Sequence, residues 1–268
     1  MRTVWLLVLI GCAGCFDFRK DLAACQASGH CVGEAVDADG GAHASDGGTS
    51  ETRFCGSGNW CWDVAPRSTI KALLTVAPDE AWAAGPDGLL LHFDGRTWQP
   101  IAGAPRANFK RLARTPEGLF YLGADEGLFR FDGGTFEPLS GPPRVDSVVT
   151  SARGQVAVAA NGKLCLVNGA TCVIVTPPAF EPLGLAFTET NDLLAVGTVG
   201  RSAKASVDTL QWTSFTPVVT TDLYQVLSVS AGEAWAAGAG GSLLHLVGST
   251  WRAETSSLVN TVDSLSAT

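Results

Sequence analysis

The sequence predicts an all-β fold, a β-propeller of about five four-stranded blades with a composite or incomplete sixth. Three observations support this: a long internal repeat, a recurring pattern of four short strands, and glycine-rich turns without helical periodicity. Residues 80–98 read EAWAAGPDGLLLHFDGRTW and residues 233–251 read EAWAAGAGGSLLHLVGSTW, so thirteen of nineteen positions are identical. A match of that length within one chain indicates a repeat architecture.

Composition narrows the class of protein. The 268 residues are 46% hydrophobic and include 31 glycines, which is typical of a globular chain with many tight turns, and only 16% are charged, which argues against long solvated helices. The net charge of −8 argues against a nucleic-acid partner, because binding a phosphate backbone needs clustered Lys and Arg. Eight cysteines indicate an oxidising compartment.

The N-terminus predicts export and lipidation. A basic start is followed by a seven-residue apolar run at 4–10, which is the length of a signal peptide and too short to span a bilayer. Residues 9–12 (LIGC) resemble a bacterial lipobox, which implies a signal peptide over 1–11 and palmitate-type lipidation of Cys12. Ala13 after this cysteine implies the outer membrane of a Gram-negative bacterium, on its periplasmic side or at the cell surface. Cys15 is the alternative, with a poorer lipobox, but its lipidation would leave an even set of six cysteines.

Residues 12–54 predict a lipidated, cysteine-containing, acidic and flexible tether. The stretch from 33 to 52 is rich in Gly, Ala and Ser and contains five acidic residues and no Lys or Arg, so it cannot bury enough apolar area to fold alone. Cys25 and Cys31 are predicted to close a small disulfide loop. Asp-Gly runs at 37–41 and 46–48 lack the full spacing of a calcium loop, and we expect no metal site and no cofactor.

The body of the chain, residues 55–268, predicts the propeller domain. Aligning on a turn glycine gives five units, with steps of 38, 36, 38 and 41 residues, at Gly85, Gly123, Ala159, Gly197 and Gly238. Each unit contains four apolar runs separated by Gly and Pro, which is typical of strands. Four antiparallel strands cannot cover both of their own faces, and stacking them radially as blades solves this.

Asp94-Gly95, Asp132-Gly133 and Asn168-Gly169 predict two-residue hairpin turns between the third and fourth strands. This register places Leu91 opposite Trp98, with Phe129/Phe136 and Leu244/Trp251 as equivalent pairs. It also places Cys165 opposite Cys172, within disulfide reach. A second disulfide is predicted between Cys55 and Cys61, which flank a lone strand before the first unit.

Over about residues 59–268 these units resemble the Trp-Ala-x-Gly … Asp-Gly-x-x-Trp repeats of bacterial surface lipoproteins. They are also similar to the Asp-box and BNR-type repeats of sialidase-like and photosystem-assembly propellers. An Asp-box has one more residue between Asp and Gly than residues 94–98 have, so the resemblance implies the blade type and not sialidase activity. Residues around Trp60 resemble a lone fourth strand, and residues 261–267 a lone first strand. They could share a composite sheet or belong to a larger array.

The sequence contains no recognisable catalytic set, so we expect a protein that is not an enzyme. We also expect a monomer. It would act as a binding or scaffold module for an envelope protein or a glycan, held at the membrane by its lipid. His92 and His245 recur with the repeat, which favours a packing role over catalysis. The alternative is a glycan-active enzyme that uses Asp79, Asp125 and Glu126 at the propeller mouth, where two carboxylates would have to lie at a glycosidase separation.

Overall fold

The computed structural model describes residues 54–55, 61–62 and 69–266, with only the backbone described for the first two pairs. Residues 72–253 form five antiparallel four-stranded sheets, here called blades 1 to 5, each built from consecutive strands. The predicted all-β propeller fold is confirmed. Within the described ranges the helices are three short 3₁₀ turns (Pro86–Gly88, Thr198–Gly200 and Ala239–Gly241), and no helix there is long and apolar enough to cross a membrane.

The strands follow one another in the order that the repeat predicts. A separate two-stranded sheet pairs β1 (Phe54–Cys55) with β2 (Cys61–Trp62). Blade 1 contains β3 (Ala72–Ala77), β4 (Glu80–Ala84), β5 (Leu90–Phe93) and β6 (Trp98–Pro100). Blade 2 contains β7 (Phe109–Arg114), β8 (Phe120–Ala124), β9 (Leu128–Phe131) and β10 (Phe136–Leu139).

The other three blades have the same order. Blade 3 contains β11 (Val145–Thr150), β12 (Val156–Ala160), β13 (Lys163–Asn168) and β14 (Thr171–Val175). Blade 4 contains β15 (Pro182–Phe187), β16 (Asp192–Gly197), β17 (Ser202–Ser206) and β18 (Thr213–Ser214). Blade 5 contains β19 (Leu223–Ser230), β20 (Glu233–Gly238), β21 (Leu243–Val247) and β22 (Thr250–Ala253).

The first strand of each blade is the innermost one. β3 contacts β7, β7 contacts β11, β11 contacts β15, and β15 contacts β19, so the first strands line a common axis. The fourth strands lie at the outside. Four hydrophobic clusters fill the four interfaces between successive blades. At the first interface Trp82 of blade 1 packs on Phe120 of blade 2, with ring centroids 4.4 Å apart.

The two ends of the axis differ in the loops that surround them. The upper face is formed by the loops that enter each first strand and by the turns between second and third strands. These loops bond to one another, as where the Arg144 N–H donates to the Asp125 carbonyl at 2.9 Å and the Ala239 N–H to the Asp222 carbonyl at 2.9 Å. The lower face is formed by the turns between first and second strands and between third and fourth strands.

The turn glycine of the Trp-Ala-Ala-Gly repeat is required by close packing on the upper face. A Cβ at Gly238 would lie 2.0 Å from the Asp222 carbonyl oxygen, and one at Gly197 would lie 1.9 Å from that of Glu181. The strand register makes Ala124 and Ala160 the equivalents of these glycines in blades 2 and 3. The sequence alignment on Gly123 and Ala159 was therefore one residue early in those two blades.

The predicted hairpin register is wrong by two residues. Trp98 pairs with Phe93 and not with Leu91, Phe136 pairs with Phe131, and Trp251 pairs with Leu246. In blades 1 and 2 the cause is the turn aspartate. The Asp94 carboxylate accepts hydrogen bonds from the N–H groups of Arg96 and Thr97, at 2.9 and 2.8 Å, so Asp94 begins a four-residue turn and does not lie at its centre.

The disulfide between Cys165 and Cys172 is present although the two residues are not directly opposed. Cys165 pairs with Ile174 and Cys172 with Val167, so the two cysteines are diagonal neighbours. Their Cα atoms are 5.4 Å apart, because strand twist brings one diagonal close. The backbone of β1 and β2 pairs Cys55 with Cys61, which supports the second predicted disulfide, although that bond stays a prediction. Cys12, Cys15, Cys25 and Cys31 lie outside the described residues.

A segment after blade 5 takes the place of a further first strand. The Val262 N–H donates to the Gly238 carbonyl at 3.0 Å, as the Phe109 N–H of blade 2 donates to the equivalent Gly85 carbonyl at 3.2 Å. Val262 is buried like Phe109. Residues 261–266 therefore stand against blade 5 as β7 stands against blade 1, as the sequence pattern predicted for this segment.

Candidate functional site

The upper mouth of the axis is formed by one position that recurs at the start of the first strands. In blades 2 to 5 the pairing of first and second strands skips one residue there, which makes it a β-bulge. Bulges bend a strand and redirect a side chain, and they are common beside functional sites. The skipped residues are Lys110, Asp146, Leu183 and Tyr224, and the equivalence of Val262 to Phe109 adds Asp263.

This position varies in chemistry although the scaffold around it is repeated. Lys110 and Asp146 are charged, whereas Leu183 is aliphatic and Tyr224 is aromatic. All four are half-buried. A repeated frame that presents unlike side chains at one mouth is the arrangement by which scaffolds provide binding specificity.

Arg111 is the centre of a charged cluster at this mouth. Its Nε donates to the Asp146 carbonyl at 2.6 Å and its Nη1 to the Lys110 carbonyl at 3.0 Å, which ties blade 2 to blade 3. Burial lowers the pKa of the Arg111 guanidinium, and the charges of Asp146 and Asp263 oppose that shift. Blade 2, blade 3 and the segment after blade 5 are distant in the sequence, and here their residues lie close enough for their charges to interact.

The Asp146 carboxyl is the second perturbed group. Burial raises its pKa, and the opposing influences are a hydrogen bond from the Asn161 N–H at 3.2 Å and the charges of Arg111, Arg144 and Lys110. A carboxylate and a guanidinium whose pKa values are both shifted by burial at one mouth form a candidate site.

The acidic residues of the glycosidase alternative do not all lie on one face. Asp79 lies in the turn between the first and second strands of blade 1, on the lower face, and Gly95 of the neighbouring hairpin turn packs on it. Asp125 and Glu126 lie between the second and third strands of blade 2, on the upper face. Asp125 forms a salt bridge with Lys110, and Glu126 accepts the Asn108 N–H at 2.9 Å. The prediction that these three carboxylates share one mouth is wrong.

The recurring histidines stack on the recurring tryptophans. His92 lies opposite Trp82, with ring centroids 4.4 Å apart, and His245 lies opposite Trp235 at 4.2 Å. His245 Nε2 also lies 3.0 Å from Glu233 Oε1. These contacts agree with the packing role that their repetition predicted. In the described part of the chain no group of three or more His, Cys, Asp or Glu side chains could hold a metal ion.

Apolar side chains border the other half of the upper face. Val199, at the tip of the 3₁₀ turn of blade 4, is 53% exposed and has a left-handed φ of 57°. Its equivalents in blades 1 and 5 are Asp87 and Gly240, residue types that adopt this conformation far more readily. Val218 in the loop before blade 5 and Val259 after it are also exposed, at 43% and 83%.

Comparisons with known proteins identify the fold and no family. No protein-family model matches the chain, and no curated protein matches it in sequence. The WD40 β-propeller domain of Doa1 is similar in structure, with a TM-score of 0.61 and 12% identity over 72% of this chain and 71% of that one. A chain of the mitotic checkpoint complex gives a TM-score of 0.59 and 13% identity over 74% and 68%. At these identities the likeness shows the fold alone.

A third similar structure corrects one expectation. Virginiamycin B lyase from Staphylococcus aureus, in a catalytically inactive H270A form with quinupristin, gives a TM-score of 0.62 and 11% identity over 75% of each chain. The prediction that this chain is not an enzyme is therefore contradicted, because a fold of the same shape carries a lyase. The lack of a familiar motif in the sequence is not a reason to exclude catalysis here.

The Arg111 cluster was missed from the sequence, although a signal was present. Residues 109–112 read Phe-Lys-Arg-Leu, so two adjacent cations interrupt a strand that is otherwise apolar. A strand that lines a propeller axis has one face at the channel, and an adjacent pair of charges near its start marks that end as polar. Aligning the units on Ala124 would have shown that the same position varies from blade to blade.

Proposed function

We propose that the chain is a propeller that binds a partner at the upper mouth. The observation that carries this proposal is the bulged position of the first strands, which presents unlike side chains on a repeated frame. The exposed Val199 at the rim, with its left-handed φ, also supports the proposal, because backbone strain is retained chiefly where it serves a site. The Arg111 cluster gives the mouth a polar centre of fixed geometry.

The partner that suits this mouth is a polypeptide segment with both apolar and charged side chains. Lys110, Asp146 and Asp263 occupy one arc, and Leu183 and Tyr224 occupy the other. Opposite charges within the charged arc can pair with either sign on a ligand, and Tyr combines a large contact area with a polar tip. A glycan would be expected to need several aromatic platforms, and the ring of bulged positions offers one.

A binding survey with matched variants tests this proposal. The full chain in mild detergent is applied to a peptide array and to a glycan array, and hits are measured again with Tyr224→Ala, Lys110→Ala and the lower-face control Arg153→Ala. We expect peptide hits, a loss of about thirtyfold in affinity for Tyr224→Ala, as for a buried aromatic anchor, and no change for Arg153→Ala. Binding to glycans alone would contradict the proposal, as would an equal loss of peptide affinity in the upper-face variants and in Arg153→Ala.

For the cellular address we propose an outer-membrane lipoprotein of a Gram-negative bacterium. The support is the lipobox-like LIGC at 9–12 after a short apolar run, followed by the acidic tether to residue 54. Several acyl chains, each contributing about 0.8 kcal/mol per buried CH₂, would anchor the domain stably. The tether, some forty residues with a Gly-rich stretch, would let the propeller stand on the order of 30 Å from the membrane surface.

Metabolic labelling distinguishes the two lipidation sites. Labelled palmitate should enter the wild-type chain and the Cys15→Ser variant but not the Cys12→Ser variant. Fractionation should place the labelled protein in the outer membrane. Label that persists in Cys12→Ser and disappears in Cys15→Ser would assign the lipid to Cys15, and absence of label from all three would contradict the anchor.

A further inference from the structure

The interface between blades 4 and 5 contains a cavity of about 270 Å³ that opens on the lower face. Its apolar walls are formed by Leu194, Phe215, Ala234 and Leu246. Lys204 and Glu233 lie at its edge together with hydroxyl groups of Thr188, Thr213, Ser228 and Ser249. This cavity lies on the opposite face from the upper mouth and has no part in the proposed function.

The cavity exists because the repeat changes its side chains at this interface. In blades 1 and 2 the equivalent positions hold Trp82, His92, Phe120 and Phe131, as the strand registers show. Those rings fill the first interface. The ring centroid of Trp82 lies 4.4 Å from those of His92 and Phe120 and 6.1 Å from that of Phe131. At the fourth interface the same places hold Leu194, Lys204, Ala234 and Leu246.

The backbone frame of the repeat is kept while these four rings are replaced by three aliphatic side chains and one lysine, and Phe215 and Trp251 remain at the fourth interface. Close-packed interiors do not collapse fully around lost volume, so the difference remains as space. An apolar cavity of roughly 150 Å³ already holds a benzene molecule, so a single-ring or fused two-ring aromatic compound fits here.

The charges at the cavity edge are already paired within their own blades. Lys204 Nζ lies 3.5 Å from Asp192 Oδ2, and Glu233 Oε1 lies 3.0 Å from His245 Nε2. A ligand therefore does not need to bring a charge. Of the hydroxyl groups, that of Thr188 already bonds to Thr190 and accepts the Asp192 N–H, and that of Ser228 donates to the Ser230 carbonyl. The hydroxyl groups of Thr213 and Ser249 are therefore the ones that can bond to one polar substituent, whereas the floor is apolar.

We propose that this cavity is a binding site for a small neutral aromatic molecule with one hydroxyl or N–H group, of the phenol or indole class. The ring takes the place that Phe120 and Trp82 fill at the first interface, and the polar substituent points to the hydroxyl groups at the edge.

Calorimetric titration of the full chain with p-cresol and with indole tests the proposal. We expect saturable binding with a dissociation constant at or below about 1 mM, which is ordinary for a one-ring ligand in a preformed pocket. Ala234→Phe restores the residue of the first interface and should weaken binding at least tenfold. Val173→Phe, which adds the same ring on an exposed outer strand, should leave binding unchanged. It therefore serves as the control for heat that comes from partitioning of the probe into detergent.

If Ala234→Phe does not fold, Ala234→Leu replaces it as the filling variant. Equal heats for wild type, filling variant and Val173→Phe would overturn the proposal, as would the absence of saturable binding of both probes at millimolar concentration. Both results are independent of the upper mouth, so they leave the proposed peptide binding untouched.

Discussion

At the scale of the residue, Val199 adopts a conformation that its side chain disfavours. A β-branched residue with positive φ is an outlier, and the left-handed conformation costs roughly 1–2 kcal/mol for a residue with a Cβ. The equivalent residues Asp87 and Gly240 show what the turn itself prefers. The sequence alignment already places Asp87, Val199 and Gly240 at one position, but it could not reveal the strain, because the left-handed φ of that position is seen only in the structure.

Val199→Asn should therefore stabilise the protein. Asn tolerates the left-handed region, so we expect a gain of about 0.5–1 kcal/mol in the free energy of unfolding, measured by urea denaturation. Val218→Asn, at an exposed valine without positive φ, is the matched control and should change stability little. A loss of stability for Val199→Asn would show that the turn is not strained.

Stability at acid pH should depend on the turn aspartates. The pKa of Asp94 and of Asp132 is lowered from 3.8, chiefly by hydrogen bonds from the N–H groups of Thr97 and Thr135. A lowered folded-state pKa gives stability that is present above 3.8 and is lost as the pH falls through the folded-state value.

Melting temperatures measured at pH 5 and at pH 2.5 test this linkage. Between these two pH values the melting temperature of the double variant Asp94→Asn/Asp132→Asn should fall by less than that of wild type. Asp208→Asn removes the same charge at another exposed aspartate and serves as the control. Equal losses in all three proteins would show that the turn hydrogen bonds do not couple to protonation.

At the scale of the element, the four-stranded unit could be predicted, but its register could not. Alternating apolar runs and Gly-containing turns locate strands because both are local signals. The register depends on which turn residue bonds to the backbone, and Asp94 does so from the first turn position. When the centre of the turn moves by one residue, each residue pairs with a partner two positions away. Because side chains alternate between the two faces of a strand, this offset keeps each side chain on its predicted face. The predicted disulfide survives for the same reason.

The hairpin of blade 3 should depend on its disulfide. Cys165 and Cys172 are seven residues apart in sequence and buried between blades 2 and 3. Loop-closure entropy for so short a loop gives about 2.5 kcal/mol, so Cys165→Ala/Cys172→Ala should lower the free energy of unfolding by at least that amount in urea denaturation. The exposed control Val173→Ala on the same strand should cost far less. A loss below about 0.5 kcal/mol for the double variant would contradict a structural role.

At the scale of the whole molecule, the repeat predicts the ring but not the composition of its mouth. Each blade hides its apolar faces against its neighbours, and this requirement can be read from a single unit. The charged cluster at the mouth joins residues from blade 2, blade 3 and the segment after blade 5, and blades 4 and 5 add Leu183 and Tyr224. Which side chains meet there is set by the bulges and by how the blades pack around the axis, and neither can be read from a single unit.

The segment after blade 5 should contribute to stability through Val262. This side chain is 4% exposed, whereas Val259 three residues earlier is 83% exposed. Val262→Asp should cost about 3 kcal/mol because it buries an unpaired carboxylate, and Val259→Asp should change stability by less than about 0.5 kcal/mol. Similar effects of the two substitutions in urea denaturation would mean that the segment does not pack on blade 5.

A double-mutant cycle between Arg111 and Asp263 most directly tests whether the repeated blades bring these residues to one mouth. Unfolding free energies are measured for wild type, Arg111→Met, Asp263→Asn and the double variant, at low and at high salt. We expect a favourable coupling of about 0.5–1 kcal/mol that shrinks with added salt, as for a partly screened pair across the axis. A coupling indistinguishable from zero at low salt would place the two residues apart and would contradict an upper mouth that joins blade 2 to the segment after blade 5.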